Sequence, residues 1–442
     1  MLPEGYENEP WSCALEQSHV DNLTFKPSTK YYQNSCDPNV SPFNYCSLNP
    51  YSSLFWPGNC SAGQLTPKGM AYQVKLGQNL KKIYHEKTGL IQENWLGNQK
   101  DILVRASDVW RTHQSAISLM SGMFPFNYNT QFDSAQFRNL ELPIFTLPAE
   151  IEYMVPNPKN CPNIAILEKK ITQSKAMKEL LNFTLPDRKQ FLDMVYDSNS
   201  TRKFEYNRAF DFFYFTDIFQ VRKCHNKKNI CSKRDPTNCV TPAMVDNTMI
   251  ASNGQYRIMY RDNEAQFPLL AKLRMGPFLL EMKRKFLAHI ANLEKSDKII
   301  DFNHPAYSMM GQLKKIYYYS GHDTSVTPLL GALNSTEMRW PPYSSNIQFE
   351  LWKKDSKKCK SKNSILNQYF IRMFYNGKSL VTSWCPESGC SIHKFLGYLD
   401  NDLGLIGGFE AYLPESVRNK PFNLVEECFK DVITTPNPNG TS

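Results

Sequence analysis

Residues 317–334, YYYSGHDTSVTPLLGALN, set His322 and Asp323 directly after an apolar, β-prone run and directly before a helix-like one. Imidazole and carboxylate groups side by side can hold an anion, move a proton or orient a nucleophile. A second stretch, VRASDVWRTHQSAISLMSGMF, repeats the strand-then-helix form, with Arg105 at the strand end and Arg111 six residues on. Guanidinium forks bind phosphate bidentately and stay charged at any physiological pH, so an arginine at a strand end is a candidate phosphate ligand. Each signal alone is ordinary, because His-Asp pairs open many helices and paired arginines often make surface ion pairs. Glu350 in FELW reads as a paired strand carboxylate, and His113 as a packed side chain on the Arg111 helix. Cys224-His225, Cys231 and Cys239 lack a paired CxxC, which favours disulfides over zinc.

Strands and helices must bring these groups together. KIYYYS, 315–320, carries Gly321, His322 and Asp323 to a carboxyl strand end, where open α/β sheets place their ligands. Thr324 or Asp323 can cap the next helix, with Pro328 in its first turn, and the free N–H groups there favour anions. DILVRAS, 101–107, reads as a buried strand and 108–124 as a helix ending near Gly122. Upstream, Thr66 and Pro67 open a helix whose Met70, Val74, Gly77, Leu80 and Tyr84 share one face. Further strands are expected at IQFELW, 347–352, and YFIRMFYN, 369–376.

At 442 residues and 41% hydrophobic content, the chain can bury more than one core. Residues 1–60 read as a Cys/Pro/Asn-rich loop region, 61–145 with 311–430 as an α/β core, 146–310 as a mostly helical insertion and 431–442 as a disordered tail. No run of about 18 apolar residues exists to span a bilayer. Twelve cysteines in polar loops, with sequons at Asn22, Asn39, Asn59, Asn182, Asn199, Asn334 and Asn439, favour a secretory environment. The opening MLPEGYENEPWSC carries no signal-peptide pattern, in conflict with that environment. The net charge of +9 gathers partly in 222–234 and 353–362, runs without aromatic interleaving, so solvated loop charge is favoured over nucleic-acid binding.

Three segments in order, GQLTPKGMAYQVKLGQNLKKIY, VRASDVWRTHQSAISLMSGMFP and YSGHDTSVTPLLGAL, resemble the histidine acid phosphatase family, and RMGPFLLEM, FELW and FYNG extend the likeness over roughly residues 60–400. The loop RKCHNKKNICSKRDPTNCV also looks like that of the phosphoxylose phosphatase branch, which acts on the glycosaminoglycan linkage region. The resemblance implies a phosphoglycerate-mutase-like open sheet with flanking helices, and a secreted or lumenal phosphomonoester hydrolase of the extracellular space, lysosome or Golgi. Its substrate class includes phosphorylated glycans, and it needs no cofactor or metal. It further implies that Arg105 and His322 bind phosphate and that Asp323 is the proton donor.

The family's attacking histidine lies in an RHGxRxP motif, which these 442 residues lack: none of the eight histidines follows Arg or precedes Gly. Without a nucleophile no phosphohistidine can form. A truncated sequence is the favoured explanation, because one upstream segment would supply both the motif and the signal. Two other readings stand beside it, a non-catalytic member that binds phosphorylated or sulfated glycans, and a disulfide-rich structural glycoprotein.

Overall fold

The computed structural model describes residues 11–13, 60, 63–125, 142–149, 151–195, 212–232, 235–262, 267–295, 313–354, 365–386, 389–403, 405 and 427–429. The chain forms two compact units, Glu7–Val155 with Lys314–His322, and Pro156–Leu313 with Asp323–Ser442. The stretch after His322, grouped with the core in the sequence, therefore clusters with the helical segment. Most of residues 1–60 and the whole of 431–442 lie outside the described residues.

In the first unit, helix α1, Pro67–Lys81, starts as expected: the Thr66 hydroxyl accepts from the Gly69 N–H at 3.1 Å, and Pro67 fills a position where a missing N–H costs nothing. The helix runs on into a wider π-type turn, Lys82–Lys87. Strand β1, Ile102–Ala106, precedes helix α2, Trp110–Met123, and the short strand β2, Ile144–Phe145. Strand β3, Ile316–Ser320, completes a parallel sheet of order β2-β1-β3. Strand β1 is almost wholly buried, as parallel strands covered on both faces are. Ile102 and Val104 pack with Ala116, Leu119, Met120 and Met123 of α2, and with Trp95 and Phe124. Helices α1 and α2 touch backbone to backbone: a Cβ on Gly77 would stand 2.0 Å from the Leu119 carbonyl oxygen, and one on Gly122 2.0 Å from that of Val74.

The second unit holds six helices between β2 and β3 in sequence among the described residues. They are α3 Pro162–Thr172, α4 Lys175–Phe183, α5 Leu185–Val195, α6 Phe212–Cys224, α7 Pro242–Tyr260 and α8 Phe267–Glu294. Helix α9, Asp323–Ala332, follows, and then the antiparallel strands β4, Ile347–Lys353, and β5, Tyr369–Tyr375. Strand β5 alternates strictly, burying Tyr369, Ile371, Met373 and Tyr375. Glu350 faces Arg372 across this pair and accepts the Trp352 indole N–H at 2.7 Å, the structural role its strand context suggested. Disulfides join Cys161 to Cys428, Cys231 to Cys239 and Cys385 to Cys390 here, and Cys13 to Cys60 in the first unit. No helix among the described residues is long and apolar enough to cross a membrane.

One expectation is corrected at α9. The helix begins at Asp323, which occupies its first position instead of capping it, so Pro328 lies inside the helix beyond the first turn. A proline there removes the N–H that would bond the carbonyl four residues back, that of Thr324. That carbonyl accepts from the Arg274 guanidinium of α8 at 3.4 Å instead.

The α1–α2 contact tolerates no side chain at its closest approach. Gly77→Ala is expected to lower stability by about 1–3 kcal/mol, the usual cost of overpacking. An unchanged urea midpoint would show that the helices can separate freely.

Candidate functional site

Parallel pairing decides what meets at the sheet's carboxyl end. Arg105 lies opposite Tyr319 and Ala106 opposite Ser320, so β1 and β3 end level and their two following turns emerge side by side. The Ser107 N–H bonds the Ser320 carbonyl at 3.2 Å, and the Ser320 hydroxyl donates to the Thr112 carbonyl at 2.8 Å. These bonds fix residues 107–112 against the stretch that carries His322.

The His322 ring sits between two groups of the other turn. Its Nε2 is 2.7 Å from the Ser107 hydroxyl, and its Nδ1 is 3.4 Å from Nη2 of Arg111. A guanidinium only donates, so Nδ1 is the acceptor and the ring proton is on Nε2. Burial first, and then the Arg111 charge, hold the imidazole pKa down to about 4. Arg111, second residue of α2, is exposed, and its Nη1 packs over Gly63, where a Cβ would stand 3.1 Å away. Gly63 has φ +77°, a conformation other residues rarely adopt, so this approach requires glycine.

Arg105, to which the resemblance gave a phosphate-binding role, lies inside the first unit. The residue is buried, with 6% of its surface exposed, and Nη2 pairs with Oε1 of Glu152 at 2.7 Å. Its Nη1 donates to the Tyr153 hydroxyl, and the guanidinium lies 4.4 Å from the centre of that ring. Oε1 of Glu152 also accepts the Met154 N–H at 2.8 Å. The charge of Arg105 is thus matched inside the protein, and Arg111 is the arginine facing His322.

Asp323 begins the last segment of the second unit, at the start of α9, where the helix dipole favours a carboxylate. The buried Tyr256 of α7 donates its hydroxyl to Oδ2 of Asp323 at 3.2 Å. Trp340 and Tyr260 flank the Tyr256 ring at 5.0 and 6.0 Å between centres. Arg274, which takes the Thr324 carbonyl, also lies 3.5 Å from Glu168. Burial raises the Glu168 pKa, and the Arg274 charge opposes that shift.

Sequence reasoning missed Ser107, Thr112, Glu152, Tyr153, Tyr256 and Arg274, because a hydroxyl, a carboxylate or a tyrosine far along the chain carries no spacing signal. Cys231 and Cys239 form a disulfide and are not thiolate ligands, while Nδ1 of His225 lies 2.9 Å from the Val221 carbonyl. His113 is partly buried on α2 and its pKa is lowered chiefly by burial.

The description "Histidine phosphatase superfamily (branch 2)" belongs to a family model that matches residues 29–376. The chain belongs to this family. Among relatives, Counting factor 60 of Dictyostelium discoideum is 28% identical over 342 residues, 77% of this chain and 69% of that protein. Lysophosphatidic acid phosphatase type 6 of Homo sapiens is 23% identical over 352 residues, 79% of this chain and 69% of that protein. In fold, the chain resembles the phytase from Citrobacter braakii, with a TM-score of 0.53 at 13% identity, covering 89% of this chain and 94% of that one. The α/β histidine-phosphatase fold, with a central sheet and flanking helices, is therefore the architecture of this family member.

A histidine held neutral by the fold makes stability depend on pH. The unfolded ring takes its proton near pH 6.5 and the folded one only near 4, so stability is lost as pH falls through that window. His322→Gln removes this share of the loss. Its urea midpoint should fall less than the parent's between about pH 7 and pH 4.5, and equal falls would mean that the folded ring is not held neutral.

Proposed function

We propose that the protein is an acid phosphatase-like phosphomonoester hydrolase in which Arg111 and His322 hold the phosphoryl oxygens and Asp323 protonates the leaving oxygen. The observation that carries this reading is the pairing of an exposed guanidinium with a partly buried imidazole at the level ends of two parallel strands. Phosphoryl transfer asks a protein mainly for positioned positive charge and a proton for the departing alkoxide. Asp323 is the residue next to His322, and the Tyr256 hydroxyl fixes the orientation of its carboxyl group. Arg105 has a supporting part here: its pairing with Glu152 holds the end of β1.

The nucleophile is the open step. We infer that a phosphohistidine forms on an RHGxRxP segment encoded outside these 442 residues. Support comes from the sheet of the first unit, in which β3 has one strand neighbour among the described residues, β1. The helical stretch 146–310 reads as the insertion that this branch carries, and the disulfides fit a secreted or lumenal protein acting on a phosphorylated glycan or similar monoester. The absent motif favours one second reading, a member that binds phosphate or an anionic glycan without hydrolysing it.

Two measurements separate the roles. In the chain as given, Arg111→Ala should weaken orthophosphate binding by calorimetry about tenfold or more, the worth of a charge-assisted bond, at nearly unchanged melting temperature. Arg105→Ala should instead destabilise by about 3–5 kcal/mol, because it leaves Glu152 buried and unpaired. The reverse pattern would return the ligand role to Arg105. In the protein extended upstream to include RHGxRxP, Asp323→Asn should slow aryl-phosphate hydrolysis at acid pH by about 100-fold or more. Equal rates for variant and parent would remove Asp323 from the proton-donor role, and no hydrolysis by the extended parent would leave the binding reading.

A further inference from the structure

Behind His322 lies a chain of hydroxyls with a defined direction. The Thr112 hydroxyl donates to the carbonyls of Val109 at 2.6 Å and Ser107 at 2.9 Å. Its oxygen is then the acceptor in the 3.2 Å contact with the Ser107 hydroxyl, which must donate. The Ser107 oxygen is left to accept, and it faces Nε2 of His322 at 2.7 Å. Both hydroxyl residues, Ser107 and Thr112, are buried, so water competes little for the bond between them. The polarity runs from Nε2–H through Ser107 and Thr112 into the backbone at the start of α2.

We propose that Ser107, oriented by Thr112, is a positioning residue that fixes the Nε2–H tautomer of His322, so that Nδ1 can donate to a bound phosphoryl oxygen only after taking up a proton as the anion arrives. The inference rests on the phosphate-site reading of Arg111 and His322 and adds how that site responds to its ligand.

The groups around the ring set the sign of the response. On the first unit's turns these are Arg111, next to Nδ1, then Asp108 and His113 on either side of it in sequence, and Arg105, matched by Glu152. Asp323 follows in the chain. Without ligand, Arg111 and burial keep the ring neutral. A phosphate held by Arg111 and Nδ1 brings negative charge and an acceptor to the ring, which favours the imidazolium. The proton balance is simple: one proton moves from solvent to Nδ1, Nε2 keeps its own, and no covalent bond to phosphorus changes. Binding therefore strengthens as pH falls from neutrality toward the pKa of the free ring, the range in which the ligand-free ring is neutral and the liganded ring charged.

The test uses the full chain, labelled with 15N-histidine, with inorganic phosphate as the probe and His322→Gln to assign the signal. The ligand-free spectrum at about pH 6 should show His322 as the neutral Nε2–H tautomer, and saturating phosphate should convert it to the doubly protonated ring. Ser107→Ala should mix the tautomers and weaken phosphate roughly fivefold, the usual size of one neutral hydrogen bond. Ser107→Thr, which keeps the hydroxyl, should restore both. A free ring protonated on Nδ1, or a Ser107→Ala ring that keeps the pure Nε2–H form, would overturn the Ser107 lock even if phosphate binds. Phosphate binding that leaves His322 neutral would overturn the proton uptake while leaving the Arg111 site standing. No phosphate binding by the parent would overturn the uptake together with the phosphate-site reading itself.

Discussion

The level pairing of β1 with β3 is the constraint on which the first unit's chemistry depends. Residues more than 200 positions apart in the chain become neighbours because Ala106 and Ser320 end their strands in register. A slip of one residue would turn every side chain of the strand to the other face and separate Ser107 from His322. The register is held at the site itself, by the Ser107 N–H on the Ser320 carbonyl and the Ser320 hydroxyl on the Thr112 carbonyl. Beneath it, the α1–α2 backbone contact at Gly77 and Gly122 keeps α2, and so Arg111, close to the sheet.

Two arginines six residues apart have opposite surroundings. Arg105 is inside, where an unpaired guanidinium would cost several kcal/mol, and Glu152 and Tyr153 pair with its two terminal nitrogens. Arg111 is outside, beside an imidazole that has no negative charge to offer, which is why the proposal gives it the anion. Burial keeps His322 neutral, and the Arg111 charge adds to that effect.

Much of this was legible in the chain. Thr66-Pro67 announced α1, the run YFIRMFYN announced β5, and the strand-to-helix form of both turns placed Arg105, Arg111, His322 and Asp323 near strand ends. What stayed hidden depends on contacts between distant residues. Nothing local in VRAS says that Arg105 will find Glu152, since that pairing is set by a loop 47 residues away. Nothing in SGHDTSVTP says that the Thr324 carbonyl, orphaned by Pro328, will be met by Arg274 from α8, or that Tyr256 will reach Asp323. Periodicity reports which face of an element is buried, and these partners are chosen by packing after that face is set.

Where an anion binds is the central question, and it has a direct answer in a crystal structure of this chain soaked with orthophosphate at acid pH. The expected result is a phosphate within hydrogen-bonding distance of both the Arg111 guanidinium and Nδ1 of His322, with Arg105 still paired to Glu152. A phosphate bound to Arg105 with that ion pair broken, or an Arg111–His322 turn left empty at saturating phosphate, would contradict it.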